Sequence, residues 1–194
     1  MYCIVDTRDV PDIDLVFALS AAAVDAEDTF GKIIDTVDAI IKHYGTDQIR
    51  YALMTFGDTA SVHVDFSDGR GKEALRVTVQ QLRRPTGEPD VVKALKEADK
   101  LFDSASPRPG SRKIVVIFVD KKTANSRGDL KEAAESITEK NVTLIPAVIG
   151  PEVVIDEIEV IPTNKEYIAI CEPIKPQTWP EIIIDKFLKG ESLM

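Results

Sequence analysis

DLVFALSAAAV, at residues 14–24, is the strongest indication of the fold of this chain. From Leu15 to Leu19 it is an unbroken apolar run of strand length, which is typical of a strand buried on both faces of a sheet. In an α/β protein such a strand ends at the carboxyl edge of the sheet, where the loops build the ligand site. The small residues from Ser20 onward therefore form a candidate functional loop.

Outward from this stretch, predicted strands and helices alternate along the chain. Apolar runs predict further strands at 49–56, 114–119 and 144–149, a short period-two edge strand at 61–66, and a sixth strand at 166–170. Helical spacing predicts helices at 26–44, 71–82, 90–102, 129–140 and 153–161, and a last one from residue 179. This order predicts a doubly wound, Rossmann-like α/β fold, with a mostly parallel six-stranded sheet, one short antiparallel edge strand and helices on both faces.

Size and charge narrow the classes of partner. The 194 residues fit a single domain, with a core from about residue 12 to about 190. The composition is that of an ordinary globular protein, with 44% hydrophobic and 29% charged residues. The net charge of −9 argues against nucleic acid and favours a cationic protein surface. The sequence predicts no membrane insertion, because no apolar run is long enough to cross a bilayer. No signal peptide is visible at the start of the given sequence either.

Three loops and their flanking strands resemble the von Willebrand factor type A domain. In that family the first loop reads Asp-x-Ser-x-Ser. With a threonine of a second loop and an aspartate of a third, it holds a divalent cation that grips an acidic residue of the partner. By this resemblance Ser20, Ala22 and Val24 occupy the first-loop positions, whereas Thr86 and Asp120 match the second and third loops.

The resemblance therefore predicts a degenerate metal site. One carboxylate and two hydroxyls are a poor ligand set for Mg²⁺, so we expect no functional metal, although weak Mg²⁺ or Mn²⁺ binding at the residual site stays open. Other roles fit the same residues: Thr86 as a helix-capping hydroxyl, and Asp120 as a strand-end carboxylate that binds local amides. A third hypothesis has Lys121 or Lys122 neutralising Asp120.

Three further patterns bear on the setting of the protein. In many extracellular members of the family, cysteines that flank the domain join its termini, which implies a Cys3–Cys171 disulfide and an oxidising compartment, with two unpaired thiols as the alternative. The tripeptide that integrins recognise is present at 127–129, as Arg127, Gly128 and Asp129, but we expect Asp129 to cap a helix instead. The triplet from Asn141 to Thr143 is an N-glycosylation acceptor pattern.

No catalytic pattern is visible, since the chain has neither a G-x-S-x-G elbow nor a phosphate-binding loop of the G-x-x-x-x-G-K-[ST] type. The resemblance, closest to the type A domains of collagen VI and matrilins, implies a secreted, non-enzymatic extracellular matrix and adhesion module. It would bind matrix proteins such as collagen by a metal-independent surface. Three alternatives stay open: a structural spacer in a tandem array of such domains, an integrin ligand through residues 127–129, and an intracellular scaffold.

Overall fold

A computed structural model describes residues 11–23, 26–162 and 164–188. Within these residues the strands are β1 Ile13–Leu19, β2 Ile49–Phe56, β3 Ala60–Val64, β4 Arg112–Val119, β5 Val142–Ile149 and β6 Ala169–Cys171. The α-helices in the same residues are α1 Ala26–Tyr44, α2 Lys72–Gln81, α3 Val91–Ser104, α4 Arg127–Thr138, α5 Ile155–Ile158 and α6 Trp179–Leu188. The predicted fold is confirmed.

The strand order β3-β2-β1-β4-β5-β6 places β1 and β4 at the centre of the sheet. All neighbours are parallel except the β2–β3 pair. From β1 the chain winds outward through β2 and β3 and then returns to β4 on the other side of β1. The connections leaving β1 and β4 therefore run in opposite directions, which opens a crevice at their carboxyl ends.

Side-chain alternation in β1 divides the core into two layers. Leu15, Phe17 and Leu19 belong to a cluster shared with α1, α2 and α6, whereas Val16 and Ala18 belong to a cluster shared with α3, α4 and α5. Every residue of β1 is buried, which explains why its sequence from Leu15 to Leu19 is continuously apolar rather than alternating.

The start of α4 differs from the prediction because a serine, not the aspartate, caps the helix. The Ser126 hydroxyl accepts a hydrogen bond from the Asp129 amide, so the helix begins at Arg127. The prediction that Asp129 is the N-cap was wrong by three residues. The pattern Ser-x-x-Asp was the available signal, since a capping serine is often followed three residues later by an acidic side chain.

The sheet edges also differ from their predicted bounds. The sixth strand is only Ala169–Cys171, because Asn164 accepts a hydrogen bond from the Glu166 amide and starts a 3-10 helix at Lys165–Tyr167. At the other edge the strand spans Ala60–Val64 rather than 61–66, its register with β2 shifts, and Val62 is 38% exposed.

A buried aspartate at the amino edge of the sheet organises a polar cluster that the sequence did not predict. Asp14 is 3% exposed, and its carboxylate accepts hydrogen bonds from Arg50 Nε and Nη2 at 2.9 and 2.7 Å. Arg108 Nη1 donates to Asp14 Oδ1 at 3.0 Å, and the Ser111 hydroxyl lies 3.3 Å from Oδ2. The cluster joins β1 and β2 to the loop before β4.

Candidate functional site

The carboxyl ends of β1 and β4 bring the predicted first and third loops together. Leu19 pairs with Phe118 in the β1–β4 register, so Ser20 and Asp120 emerge side by side at the crevice. Both are buried, at 1% and 2% exposure. Of the residues that the family resemblance assigned to one site, Ser20 and Asp120 are therefore neighbours in this fold.

Asp120 binds the backbone of the first loop directly. Its Oδ1 accepts a hydrogen bond from the Ala22 amide at 2.8 Å, and its Oδ2 accepts one from the Ala23 amide at 3.1 Å. Burial raises the pKa of the Asp120 carboxyl above its ordinary value, although these amide hydrogen bonds act in the opposite direction. Both carboxylate oxygens are thus engaged by the protein itself, as expected for a strand-end carboxylate that binds local amides.

The first loop offers little oxygen to a cation. The Ser20 hydroxyl is buried without a hydrogen-bond partner among the described residues, and Ala22 has no side-chain oxygen. Val24, at the remaining position, lies outside the described residues, and a valine likewise has no side-chain oxygen.

The second loop places Thr86 at the surface and holds it through its backbone. Its carbonyl accepts a hydrogen bond from the Asp58 amide at 3.3 Å. A Cβ at Gly57 would lie 1.8 Å from that carbonyl oxygen, so only glycine fits this close approach. The Thr86 side chain does not cap α3, because that role belongs to Asp90, which accepts a hydrogen bond from the Lys93 amide.

Asparagine 125 joins the second loop to the third. Asn125 Nδ2 donates to Asp90 Oδ1 at 2.9 Å, and its Oδ1 accepts from the Val92 amide at 3.1 Å. This link between the start of α3 and the loop before α4 was not anticipated from the sequence. These two hydrogen bonds of Asn125 hold the two loops in a fixed position relative to each other.

The lysines that follow Asp120 point elsewhere. Lys121 pairs with Glu88 at 3.1 Å, and Lys122 pairs with Glu157 at 3.3 Å. The hypothesis that one of them neutralises Asp120 is therefore wrong. The hydrogen-bond donors to that carboxylate are backbone amides instead.

These residues do not fit a hard divalent cation, which prefers several oxygen ligands in near-octahedral geometry. The one carboxylate is occupied by amides, and the threonine is exposed on a separate loop. Across the part of the chain that the structure describes, no three His, Cys, Asp or Glu side chains cluster closely enough to hold a metal ion.

The tripeptide Arg127-Gly128-Asp129 lies in the first turn of α4 and is exposed. The Ser126 hydroxyl donates to Asp129 Oδ2 at 2.7 Å, so this carboxylate is held at the helix start. Integrin recognition needs the tripeptide at an extended loop tip, which this geometry does not provide. Integrin binding through these residues stays a hypothesis that the helical geometry disfavours.

The cysteine and glycosylation predictions stay open. Cys171 is 1% exposed at the end of β6, and burial raises the pKa of its thiol to about 12. Cys3 lies outside the described residues, so the Cys3–Cys171 disulfide remains a prediction. Asn141 is exposed just before β5 with a φ of 60°, so its side chain is accessible to a modifying enzyme.

Replacing Asp120 by Ala should leave the Ala22 and Ala23 amides without their acceptor. We expect the free energy of unfolding to fall by about 1 kcal/mol, the lower end of the usual cost of leaving a donor unsatisfied, because both amides are only partly buried. Urea denaturation followed by circular dichroism measures this change. Thr86→Val, at an exposed side chain, is the matched control and should change the stability by less than about 0.5 kcal/mol. Equal effects of the two substitutions would contradict the role assigned to Asp120.

Comparison with known proteins identifies the family and supports the fold. The family model of the von Willebrand factor type A domain matches residues 14–170. The fold is similar to proximal thread matrix protein 1 from the mussel byssus, with a TM-score of 0.80 and 19% identity over 91% of this chain and 48% of that one. This chain spans about half the length of the mussel protein.

Two further structures with the same fold are of metal-bound proteins. A second structure of the mussel protein, with a zinc-occupied MIDAS motif, has a TM-score of 0.78 and 20% identity over 91% of this chain and 47% of that one. Manganese-loaded TRAP protein from Plasmodium vivax has a TM-score of 0.72 and 17% identity over 91% of this chain and 73% of that one. At such identities the likeness concerns the fold.

None of the described helices is both long and apolar enough to cross a membrane.

Proposed function

The chain belongs to the von Willebrand factor type A domain family, and from this premise we propose that it is a non-enzymatic module of the extracellular matrix that binds partner proteins without a metal ion. Domains of this family generally serve as protein–protein interaction and adhesion modules. A mussel matrix protein among the structural neighbours supports the extracellular setting. Collagen is the partner we propose to test first.

The observation that carries the proposal is the engagement of Asp120 by the Ala22 and Ala23 amides. In a metal-dependent mode this carboxylate would help hold a cation, and the cation would grip an acidic residue of the partner. Here the loop is held by its own hydrogen bonds, and the positions beside it lack the oxygens a cation needs. Recognition would then use another face of the domain, and the net charge of −9 favours a basic partner surface.

The proposal also includes the secreted location, the Cys3–Cys171 disulfide and a glycan on Asn141. These belong together because each requires passage through an oxidising secretory compartment.

Collagen binding that does not depend on chelator is the expected result. We would titrate Mg²⁺ and Mn²⁺ calorimetrically into chelator-stripped protein and measure collagen binding with and without EDTA. The wild type should give no heat of ion binding, and its affinity for collagen should be the same in both buffers. Ser20→Asp/Ala22→Ser/Val24→Ser, which restores the family's first loop, is the positive control for ion binding.

Two results would change this conclusion. Micromolar Mn²⁺ binding by the wild type, with collagen binding lost in EDTA, would restore the metal-dependent mechanism. No saturable binding to collagen or to other matrix proteins, with or without ions, would instead favour the structural spacer.

A further inference from the structure

Exposed apolar side chains concentrate at one corner of the domain. Among the described residues six large apolar side chains are exposed, and four of these come from residues 154–174. Val154 and Ile155 are 39% and 37% exposed, while Ile170 and Ile174 reach 54% and 84%. We call these four residues the β6 corner. Exposed apolar groups that cluster in this way mark interaction sites more often than scattered ones do.

The topology brings these residues to the same edge of the sheet. Ala169 and Cys171 pack in the core layer beneath α1 and α6, so Ile170 between them faces the opposite layer. That layer contains Val153, which immediately precedes Val154 and Ile155. The turn after β6 lies against the end of β5, since a Cβ on Gly150 would be 3.6 Å from the ring of Pro173, next to Ile174.

The rim of the β6 corner is acidic. Residues 150–175 contain six acidic side chains and two lysines, and Lys122 from outside this range pairs with Glu157 at 3.3 Å, which leaves a net charge of −3. Both lysines within the range are engaged, Lys165 with Glu159 at 2.6 Å and Lys175 with Glu172 at 2.8 Å. The remaining acidic groups include the exposed Asp156, which adjoins Ile155.

We propose that the β6 corner binds an extended segment of a partner protein in which apolar side chains alternate with Lys or Arg. The inference rests on the proposed function and adds the surface and the chemistry of the partner. The segment would lie along β6, the end strand of the sheet, with its apolar side chains on Ile170 and Ile174 and its cations toward the acidic rim. A second copy of this chain, or an anionic membrane, would instead bring like charges together.

A labelled peptide tests this surface directly. The probe is a twelve-residue peptide that alternates Ile or Val with Lys, and fluorescence anisotropy measures its Kd. We expect the wild type to bind this peptide saturably. It should not bind a control peptide with Glu in place of Lys, nor one with Ser in place of the apolar residues. Ile170→Ser/Ile174→Ser should weaken binding at least about tenfold, and Asp156→Lys several-fold.

Matched controls distinguish binding at the β6 corner from nonspecific attraction of the cationic peptide to an acidic protein. Val77→Ser removes an exposed apolar side chain on α2, and Glu139→Lys reverses an exposed charge after α4; both should leave the Kd within about twofold. All variants should unfold near the wild-type urea midpoint, because these side chains are exposed. Equal weakening by Val77→Ser, no weakening by Ile170→Ser/Ile174→Ser, or no wild-type binding would each overturn the inference.

Collagen binding of the same variants, with and without EDTA, reports separately on the proposed function. Chelator-sensitive binding would overturn that proposal while the peptide result stood. Loss of collagen binding in Ile170→Ser/Ile174→Ser alone would identify the corner as the collagen surface and support both proposals.

Discussion

Replacing Asp14 by Ala is expected to lower the free energy of unfolding by about 3–5 kcal/mol, because it leaves two guanidinium groups without their shared partner. The Arg50 and Arg108 side chains are 21% and 24% exposed, so water can reach them in part. We therefore expect the lower end of this range. Urea denaturation followed by far-ultraviolet circular dichroism measures the change.

The matched control for Asp14 is another aspartate that pairs with Arg108. Asp12 contacts Arg108 Nη2 at 3.0 Å, but its side chain is 53% exposed. Solvent-exposed pairs contribute little, so Asp12→Ala should cost no more than about 1 kcal/mol. If Asp14→Ala proved as mild as Asp12→Ala, the cluster would not have the stabilising role described here.

Replacing Trp179 by Ala should lower the free energy of unfolding by about 3–5 kcal/mol, the usual cost of removing a large buried aromatic side chain. Trp179, the first residue of α6, is fully buried in the core layer that α6 shares with α1 and α2, and its Nε1–H donates to the Glu172 carbonyl at 2.9 Å. Because it is the single tryptophan of the chain, the variant has no tryptophan fluorescence and unfolding must be followed by circular dichroism.

Trp179→Phe separates packing from hydrogen bonding. Phe keeps most of the apolar contact and loses the donor to Glu172, so we expect a cost of about 1–2 kcal/mol. Val77→Ala, at a side chain 56% exposed on α2, should stay within about 0.5 kcal/mol of the wild type. An effect of Trp179→Ala no larger than that of Val77→Ala would show that the packing at α6 contributes little.

The order of strands and helices could be predicted because it depends on local patterns. Buried parallel strands such as β1 and β4 read as continuous apolar runs, and the helices between them keep an apolar stripe. The juxtaposition of Ser20 and Asp120 was implied by the family resemblance, and the topology accounts for it, since parallel strands deliver their following loops to one edge of the sheet.

The hydrogen bonds of the site could not be predicted in the same way. Asp120 binds backbone amides, which any residue carries, so nothing in the identity of Ala22 or Ala23 indicates the contact. Asn125 reaches Asp90 across 35 positions, and Asp14 reaches Arg50 across 36. Such pairs depend on tertiary placement, which a single sequence does not report. The Ser126 cap, by contrast, had a local signature in the sequence.

The Asp14 cluster also has a consequence for the order of folding events. Its partners are 36 and 94 positions away along the chain, so the carboxylate meets both arginines only when the β1–β2 and β1–β4 crossovers are complete. Closing such long loops is entropically costly and precedes the gain from the contacts they allow. Interactions that form after the rate-limiting barrier slow unfolding without accelerating folding. The cluster would therefore slow the unfolding of the assembled sheet and prolong the lifetime of the native state.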